Sequence, residues 1–377
     1  MQNSSWQPGT HALINKERSM QIYARQSLRD LLGDHVAFRN IRPADTRLPG
    51  LQQIAPNTQP RKGDDAYAAI AVTILHAAQQ LRGGHPLTKF LMIGDTRQSD
   101  GGTYMTIAKR TGWEGGAFIC DEKRNDDPYF SQSNDVGVYT ANRWRSIEQF
   151  ADLMSVDSQT AVIIDVDKTL VGARGRNHQL IDSARLTALK RAVHDVLGST
   201  YDEALFSDTY HRFNQPRFHR FTGDNQDFLA FICVMAGGGI ITPDALQAML
   251  EQGIMRDFDH FVDLTGARIS SFQSPLLPFQ THFAQLYEQG DMTPFKAFRY
   301  LEYIETAARF GCAPENLDAI DLLTREIVIT AEVWQVAKRW QSAGALLFGL
   351  SDKPDEAAFG DGTGSPIHHL VTHVVGS

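Results

Sequence analysis

The chain has 377 residues, of which 42% are hydrophobic and 21% are charged, proportions that are ordinary for a globular protein. This length exceeds what one hydrophobic core usually supports, so we predict two domains or one domain with a large insertion. The net charge of −8 argues against nucleic acids and anionic membranes as partners. The three cysteines lie far apart without paired spacing, which argues against a disulfide framework or a structural zinc site.

No segment has the pattern of a signal peptide or a membrane span. Residues 1–16 are polar and lack the apolar centre of a signal peptide. The apolar, uncharged stretch 228–241 is shorter than a bilayer requires and contains three consecutive glycines at 237–239, so it predicts a buried helix that ends at these glycines. We therefore expect a cytoplasmic protein without a membrane partner.

The first part of the chain alternates between helical and strand patterns. In chain order we predict a helix at 20–32, an irregular loop at 40–59, a helix at 66–81, a strand at 89–93, a helix at 102–111, strands at 116–120 and 136–139, and a helix at 146–154. The strand at 89–93 runs into an acidic loop at 94–100. Strand, acidic loop, helix and strand in this order indicate an α/β protein.

The most informative stretch is 161–170, an uncharged run that ends in Asp165 and Asp167. Such a run predicts a strand buried on both faces of a parallel sheet. Chemistry in open α/β sheets collects at the carboxyl ends of the strands. We therefore expect a site around these two carboxylates, although taken alone they could also cap the next turn.

The second half of the chain is mostly helical before strand patterns return. Helical periodicity occurs at 182–197, 243–252, 276–289 and 294–310, with few strand patterns between 178 and 325, which predicts a helical insertion. A helix at 332–343, a strand at 345–350 and a last strand at 369–375 follow. His368, His369 and His373 have a spacing that could suit a metal ion, but tail histidines more often face solvent.

Four segments resemble the motifs of the haloacid dehalogenase (HAD) superfamily, mostly phosphatases that act through an aspartyl-phosphate. Asp-x-Asp-x-Thr at 165–169 resembles motif I, and the strand at 345–350 followed by Ser351 and Lys353-Pro resembles motif II. Too few residues follow Ser351 for the other two motifs. Instead, Lys62 before a helix resembles motif III, and the strand and acidic loop at 89–100 resemble motif IV.

The motifs occur in the order III, IV, I, II, so the chain resembles a circularly permuted HAD phosphatase. A permutation is physically permissible because a fold tolerates new termini in surface loops. The resemblance implies a Rossmann-like α/β core with a parallel sheet, formed by 1–177 and 326–377, and a helical cap at 178–325 inserted between motifs I and II. Within that core, 1–155 would carry motifs III and IV, 156–177 motif I and 326–377 motif II.

The resemblance also implies a role for each motif residue. Asp165 would be the nucleophile, and Asp167 would protonate the leaving group and then activate water. Lys62 would neutralise charge on the phosphoryl group, which Ser351 and Thr169 would help to bind. An Mg²⁺ ion would have as ligands the side chain of Asp165, the backbone carbonyl of Asp167, and Asp95 and Asp100.

The resemblance thus implies an Mg²⁺-dependent phosphomonoester hydrolase that acts on a small phosphorylated metabolite. Arg174 and Arg176 are candidates for substrate contact because they follow the motif I loop. The segment 210–221 mixes cations with aromatic rings, so it could grip an anionic leaving group or be an ordinary solvated helix face. The alternatives are a phosphotransferase or mutase of the same superfamily and a non-catalytic ligand-binding protein, against which the intact set of motif residues counts.

Overall fold

The strand that ends at Asp165 lies at the centre of a seven-stranded sheet in a computed structural model of the chain. The structure describes residues 20–39, 41–56, 60–272 and 274–377. The strands are β1 (Gln21–Ser27), β2 (Val36–Ala37), β3 (Lys89–Gly94), β4 (Glu114–Cys120), β5 (Phe130–Gln132), β6 (Val138–Ala141), β7 (Thr160–Asp165), β8 (Ile329–Thr330), β9 (Leu346–Leu350) and β10 (Val371–Gly376).

The helices surround this sheet and fill the long segment between β7 and β8. They are α1 (Arg29–Leu32), α2 (Leu51–Ile54), α3 (Asp65–Leu81), α4 (Gly102–Thr111), α5 (Ile147–Leu153), α6 (His178–Leu197), α7 (Glu203–Phe213), α8 (His219–Thr222), α9 (Gln226–Gly237), α10 (Pro243–Glu251), α11 (Phe258–Phe272), α12 (Leu277–Glu288), α13 (Lys296–Ala307), α14 (Ala319–Leu323), α15 (Ala331–Ser342) and α16 (Asp355–Phe359). Where the structure describes it, the segment 178–325 contains no strand. Its assignment as a separate cap domain stays a prediction.

The large sheet has the strand order β2-β9-β7-β3-β4-β6-β5 and is parallel except for β5. All residues of β7 are buried. Alternate residues of the central strands face two different cores: Ile93 and Ile164 pack with α5 and α15, while Met92 and Ile163 pack with α3 and α4. A strand covered by helices on both sides explains the uncharged run in its sequence. The prediction of an α/β protein with a largely parallel sheet is confirmed.

The segment 178–325 has a hydrophobic core of its own. That core is rich in phenylalanine, and Phe231, Phe261 and Phe283 are among its fully buried side chains. Helices α6 and α13 pack against each other, and α13 also packs against α16, which follows β9. This packing places one helix of the insertion beside the carboxyl end of a central strand.

The prediction of a helix at 20–32 is wrong. Residues 21–27 form β1, which pairs antiparallel with β10, and only the short α1 follows. Pairing with a strand from the other end of the chain overrides the local helical pattern. The last strand is present, but it belongs to a small second sheet with the order β1-β10-β8.

Three further expectations can be compared with the described residues. The predicted loop at 40–59 contains α2, while residues 40 and 57–59 lie outside the described part of the chain, as do residues 1–19. Cys120, Cys233 and Cys312 are all free thiols, as expected. In the part of the chain that the structure describes, none of the helices has the length and apolar character needed to cross a membrane.

Candidate active site

The carboxyl ends of three neighbouring strands bring the motif residues to one edge of the large sheet. Asp95 follows β3, Asp165 ends β7 and Ser351 follows β9. Strand β7 pairs in parallel with both β3 and β9, so all three strands end on the same side. This is the edge at which open α/β sheets bind ligands.

Three buried carboxylates form a cluster at this edge. Asp95, Asp100 and Asp165 each offer an oxygen within 4.8 Å of the others. A turn at Arg97–Gly101 returns Asp100 to the strand end, where its Oδ2 accepts hydrogen bonds from the backbone nitrogens of Asp95 and Thr96, both at 3.1 Å. Gly94 makes room for this carboxylate, since a Cβ there would lie 2.3 Å from the Cβ of Asp100.

Lys62 reaches the cluster from the loop before α3. Its ammonium group contacts Asp165 Oδ1 and lies 3.2 Å from Asp100 Oδ1 and 3.6 Å from Asp352 Oδ2. The side chain is only 3% exposed. The predicted proximity of Lys62, the motif III residue, to Asp165 is therefore observed, although the two residues are 103 positions apart.

The cluster contains more negative than positive groups. Arg174 donates from Nε to Asp95 Oδ2 at 2.5 Å, so two cations face three carboxylates. Burial raises the pKa of Asp165 well above its ordinary value; contact with Lys62 opposes this shift, and the charges of Asp100 and Asp95 add to it. Burial also raises the pKa of Asp95 to about 6, with a further contribution from Asp100. Burial and the repulsion among the carboxylates therefore both disfavour the fully ionised cluster.

The residues of the cluster fit a hard divalent cation. Asp165 Oδ2 is buried and has no hydrogen-bond partner among the described residues. Carboxylate oxygens without nitrogen or sulfur are the ligand set that Mg²⁺ prefers. Asp95, Asp100 and Asp165 are three of the four predicted ligands, while the carboxylate of Asp167 points to other partners, so its predicted contribution remains the backbone carbonyl.

Asp167 has surroundings that differ from those of Asp165. Its Oδ2 accepts a hydrogen bond from Ser351 Oγ at 2.5 Å, and its Oδ1 lies 3.6 Å from Lys353 Nζ. The Asp167 side chain is 20% exposed, whereas that of Asp165 is 7% exposed. The chain turns directly after Asp167, where Lys168 lies in the left-handed region at φ 68°. The carboxylate of Asp165 is thus buried against the ammonium group of Lys62, whereas that of Asp167 is partly exposed to solvent.

Known proteins give no guide to this site. Comparisons of the chain with models of protein families, with curated proteins and with solved structures found no match. Any function must therefore be inferred from the residues and geometry of this chain.

A buried network of charges, which the sequence did not predict, connects the site to the helical segment. Lys353 Nζ lies 3.5 Å from Glu302 Oε1 on α13, and Glu302 accepts hydrogen bonds from Arg185 at 2.9 Å and Arg299 at 2.5 Å. Arg299 also donates to Asp227 on α9. Burial would raise the pKa of Glu302, but Lys353, Arg185 and Arg299 lower it below its ordinary value. The signal in the sequence is only a lysine after motif II, because its partners lie far away along the chain.

Arg176 and Thr169, two of the predicted substrate contacts, are both buried. Arg176 is 1% exposed, and its guanidinium is fully engaged by Glu122 and Glu332 at 2.8–3.0 Å. Thr169 is completely buried, and its carbonyl accepts a hydrogen bond from Thr330 Oγ1 at 2.6 Å. Arg176 therefore stabilises the core around the motif I loop and does not belong to the proposed site. The Thr169 hydroxyl has no hydrogen-bond partner among the described residues, so its role in binding the phosphoryl group stays a prediction.

The aromatic residues of the segment 210–221 do not face a ligand. Tyr210, Phe213, Phe218 and Phe221 all belong to the core of the helical segment. Arg212 forms ion pairs with surface carboxylates on its own and a neighbouring helix. The mixture of aromatic and cationic residues therefore reflects the end of α7 and the short α8, whose aromatic side chains are buried in the core of the helical segment.

A cleft of 360 Å³ adjoins the site between the loop before α3 and the connection from α12 to α13. Arg39, Arg61 and Lys296 contribute the cations of its lining. Arg61 precedes Lys62, and the backbone nitrogen of Arg39 donates to the carbonyl of Lys353 at 3.0 Å. Lys296 is paired with carboxylates, but within the described residues neither arginine side chain forms an ion pair. The lining also includes Asp291, which pairs with Lys296, so the positive charge of the cleft comes from the two arginines.

Proposed function

We propose that the protein is an Mg²⁺-dependent phosphomonoester hydrolase in which Asp165 is transiently phosphorylated. The observation that carries this proposal is the contact of Lys62 with Asp165 beside Asp95 and Asp100, because these residues come from motifs that the sequence places in permuted order. The strand order adds support, since β7 lies between the strands that precede the proposed motifs II and IV. We therefore include the permuted HAD-like core in the proposal.

Asp165 is suited to attack phosphorus. Its carboxylate would form a bond to the phosphoryl group as the bond to the substrate oxygen breaks. The ammonium of Lys62, in contact with Oδ1, offsets the repulsion between two anions and stabilises the charge of the transferred group. A cation held by Asp95, Asp100 and Asp165 would supply further positive charge to the phosphoryl oxygens.

Asp167 and Ser351 are suited to the other half of the reaction. Asp167 would give its proton to the departing alkoxide and then take a proton from the water that hydrolyses the aspartyl-phosphate, releasing inorganic phosphate and restoring Asp165. Its partial exposure allows this exchange, while the Ser351 hydroxyl holds its orientation. When substrate is bound, this hydroxyl would donate its one proton to a phosphoryl oxygen instead of to Asp167.

The first test is the metal dependence of phosphate release. We expect the purified full chain to release inorganic phosphate from members of a panel of small phosphomonoesters in the presence of Mg²⁺. Removal of divalent ions with a chelator should reduce the rate at least about 100-fold, because the buried carboxylates would then repel the phosphoryl group. The rate is measured by phosphate detection, and restored Mg²⁺ should restore it.

The other outcomes separate the alternatives. Full activity in the chelator would contradict the metal site. Transfer of the phosphoryl group to an added sugar, without release of inorganic phosphate, would identify a phosphotransferase. Absence of turnover on every substrate, together with binding of one of them, would identify a non-catalytic binding protein.

The second test concerns the cationic cleft. We expect Arg61→Ala and Arg39→Ala each to raise KM about 10-fold or more with little change in kcat, because a charged hydrogen bond to an anionic substrate contributes about 1.5–3 kcal/mol. The control is Arg339→Ala, which removes an exposed arginine that pairs with Glu148. Unchanged KM in both cleft variants would show that the substrate does not reach these arginines.

A further inference from the structure

A second group of metal-ligating side chains shares no residue with the carboxylate cluster. Asp34 lies between α1 and β2, and His368 and His369 lie in the turn Ile367–His369 just before β10. Each offers a ligand atom within 4.8 Å of the others. The group joins segments 335 positions apart in the sequence.

The distances within this group fit a metal site better than a set of hydrogen bonds. Asp34 Oδ1 lies 3.5 Å from His368 Nε2 and 3.3 Å from His369 Nε2. Ligand atoms bound at about 2.0–2.1 Å to one tetrahedral Zn²⁺ ion are about 3.3–3.4 Å apart. Hydrogen bonds from nitrogen to oxygen are shorter, most often about 2.9–3.0 Å. The oxygen therefore lies at the distance expected between two ligands of one tetrahedral ion from each nitrogen, and the ligand atoms of the two histidines lie within 4.8 Å of each other.

His368 gives a second and independent indication of a ligand. Its side chain is 1% exposed, and neither ring nitrogen has a hydrogen-bond partner in the described part of the chain. A neutral imidazole always carries one N–H and one free lone pair, and burying both without partners is unfavourable. The rings of Phe38 and Phe359 are neighbours, at centroid distances of 6.0 and 6.5 Å, and offer no ordinary hydrogen bond. An ion bound at Nε2 would satisfy the lone pair that faces Asp34.

The site is accessible and has the right ligand chemistry. His369 is 28% exposed and Asp34 is 37% exposed, so an ion can enter from solvent, which can also supply a fourth ligand. Arg29 also contacts Asp34, with its Nε 3.2 Å from Oδ1 and its Nη2 3.4 Å from Oδ2. The Arg29 side chain is more than half exposed, so it can keep the contact with Oδ2 while Oδ1 binds an ion. Two imidazoles and one carboxylate suit Zn²⁺ and similar ions, in contrast to the oxygen-only cluster at Asp165.

We propose that Asp34, His368 and His369 bind Zn²⁺ or a similar divalent transition-metal ion, with water as the fourth ligand. The ion fastens the segment that leads into β10 to the loop before β2. Because these residues meet only in the folded chain, the ion binds the folded state and not the unfolded one, and this difference stabilises the fold. This proposal does not depend on the proposed phosphatase activity.

The test is a Zn²⁺ titration of the full chain after metal removal, with excess Mg²⁺ present. We expect one tightly bound Zn²⁺ per chain by calorimetry, a higher Tm, and with Co²⁺ the intense visible absorption of a tetrahedral site. His369→Ala and Asp34→Asn should each weaken Zn²⁺ binding at least about tenfold. Both substitutions change partly exposed side chains, so the variants should fold, which circular dichroism can verify.

Two further variants separate this site from the rest of the molecule. His85→Ala removes an exposed histidine outside the group and should leave Zn²⁺ affinity unchanged. Asp165→Asn alters the carboxylate cluster and should also leave it unchanged. Failure of the folded wild-type chain to bind one Zn²⁺, or equal affinity in the wild type, His369→Ala and Asp34→Asn, would overturn the proposal.

Discussion

Asp165→Asn is expected to reduce kcat for phosphate release at least about 1,000-fold while leaving the protein folded. The carboxamide has nearly the same volume but is a poor nucleophile for phosphorus. Lys62 would keep its contact with Asp100 at 3.2 Å, so the substitution does not leave a buried ammonium group alone. Steady-state phosphate release and the circular dichroism spectrum measure the two parts of this expectation.

The matched control removes a carboxylate from the other end of the same strand. Asp157 precedes β7 and pairs with Lys89 at 2.7 Å, where its side chain is 45% exposed. Asp157→Asn should therefore retain wild-type kcat. Turnover by Asp165→Asn at the rate of this control would eliminate the aspartyl-phosphate mechanism.

Asp167→Asn is expected to lower kcat about 100- to 10,000-fold for alkyl phosphates, the usual contribution of a general acid and base. The rate of the first step, phosphoryl transfer to Asp165, should fall much less for p-nitrophenyl phosphate, because nitrophenolate leaves without needing a proton. The phosphorylated enzyme should then accumulate, since the same variant lacks the base that activates water. Rapid mixing would show this as a burst of nitrophenolate close to the enzyme concentration.

The comparison between the two substrates is the decisive part of this experiment. An equal loss for the alkyl and the aryl phosphate, without a burst, would assign Asp167 to binding rather than to proton transfer. Ser351→Ala is a useful companion, because it removes the hydroxyl that donates to Asp167 at 2.5 Å and leaves the carboxylate in place. A smaller loss in that variant would fit a positioning role for the serine.

The parts of the fold that the sequence predicted well are those determined by local patterns. The uncharged run before Asp165 marks a strand buried on both faces, and the helix α4 has the predicted limits. The prediction of a helix at 20–32 is wrong because β1 is stabilised by pairing with β10, a strand that is far away in the sequence. Its residues are largely exposed, so they carry little of the alternating pattern by which strands are recognised.

The candidate site was predictable only through the resemblance. Nothing in the spacing of Lys62 and Asp165 indicates that they touch, and the contact arises because the loop before α3 reaches the carboxyl end of β7. The role of Arg176 was misjudged because a loop arginine beside the motif looks available, whereas two distant glutamates bury it. The histidine at 368 likewise looked solvent-facing, but the turn before β10 inserts it between aromatic rings.

The pairing of β1 with β10 also limits the order in which the two sheets can form during translation. Arg25 on β1 meets His373 on β10, which is synthesised 348 positions later. Most of the large sheet can assemble earlier, whereas β1 must wait with unpaired backbone groups until that late segment leaves the ribosome. The small sheet therefore cannot close before β10 has been synthesised, whereas the strands from β3 to β7 can pair with one another earlier.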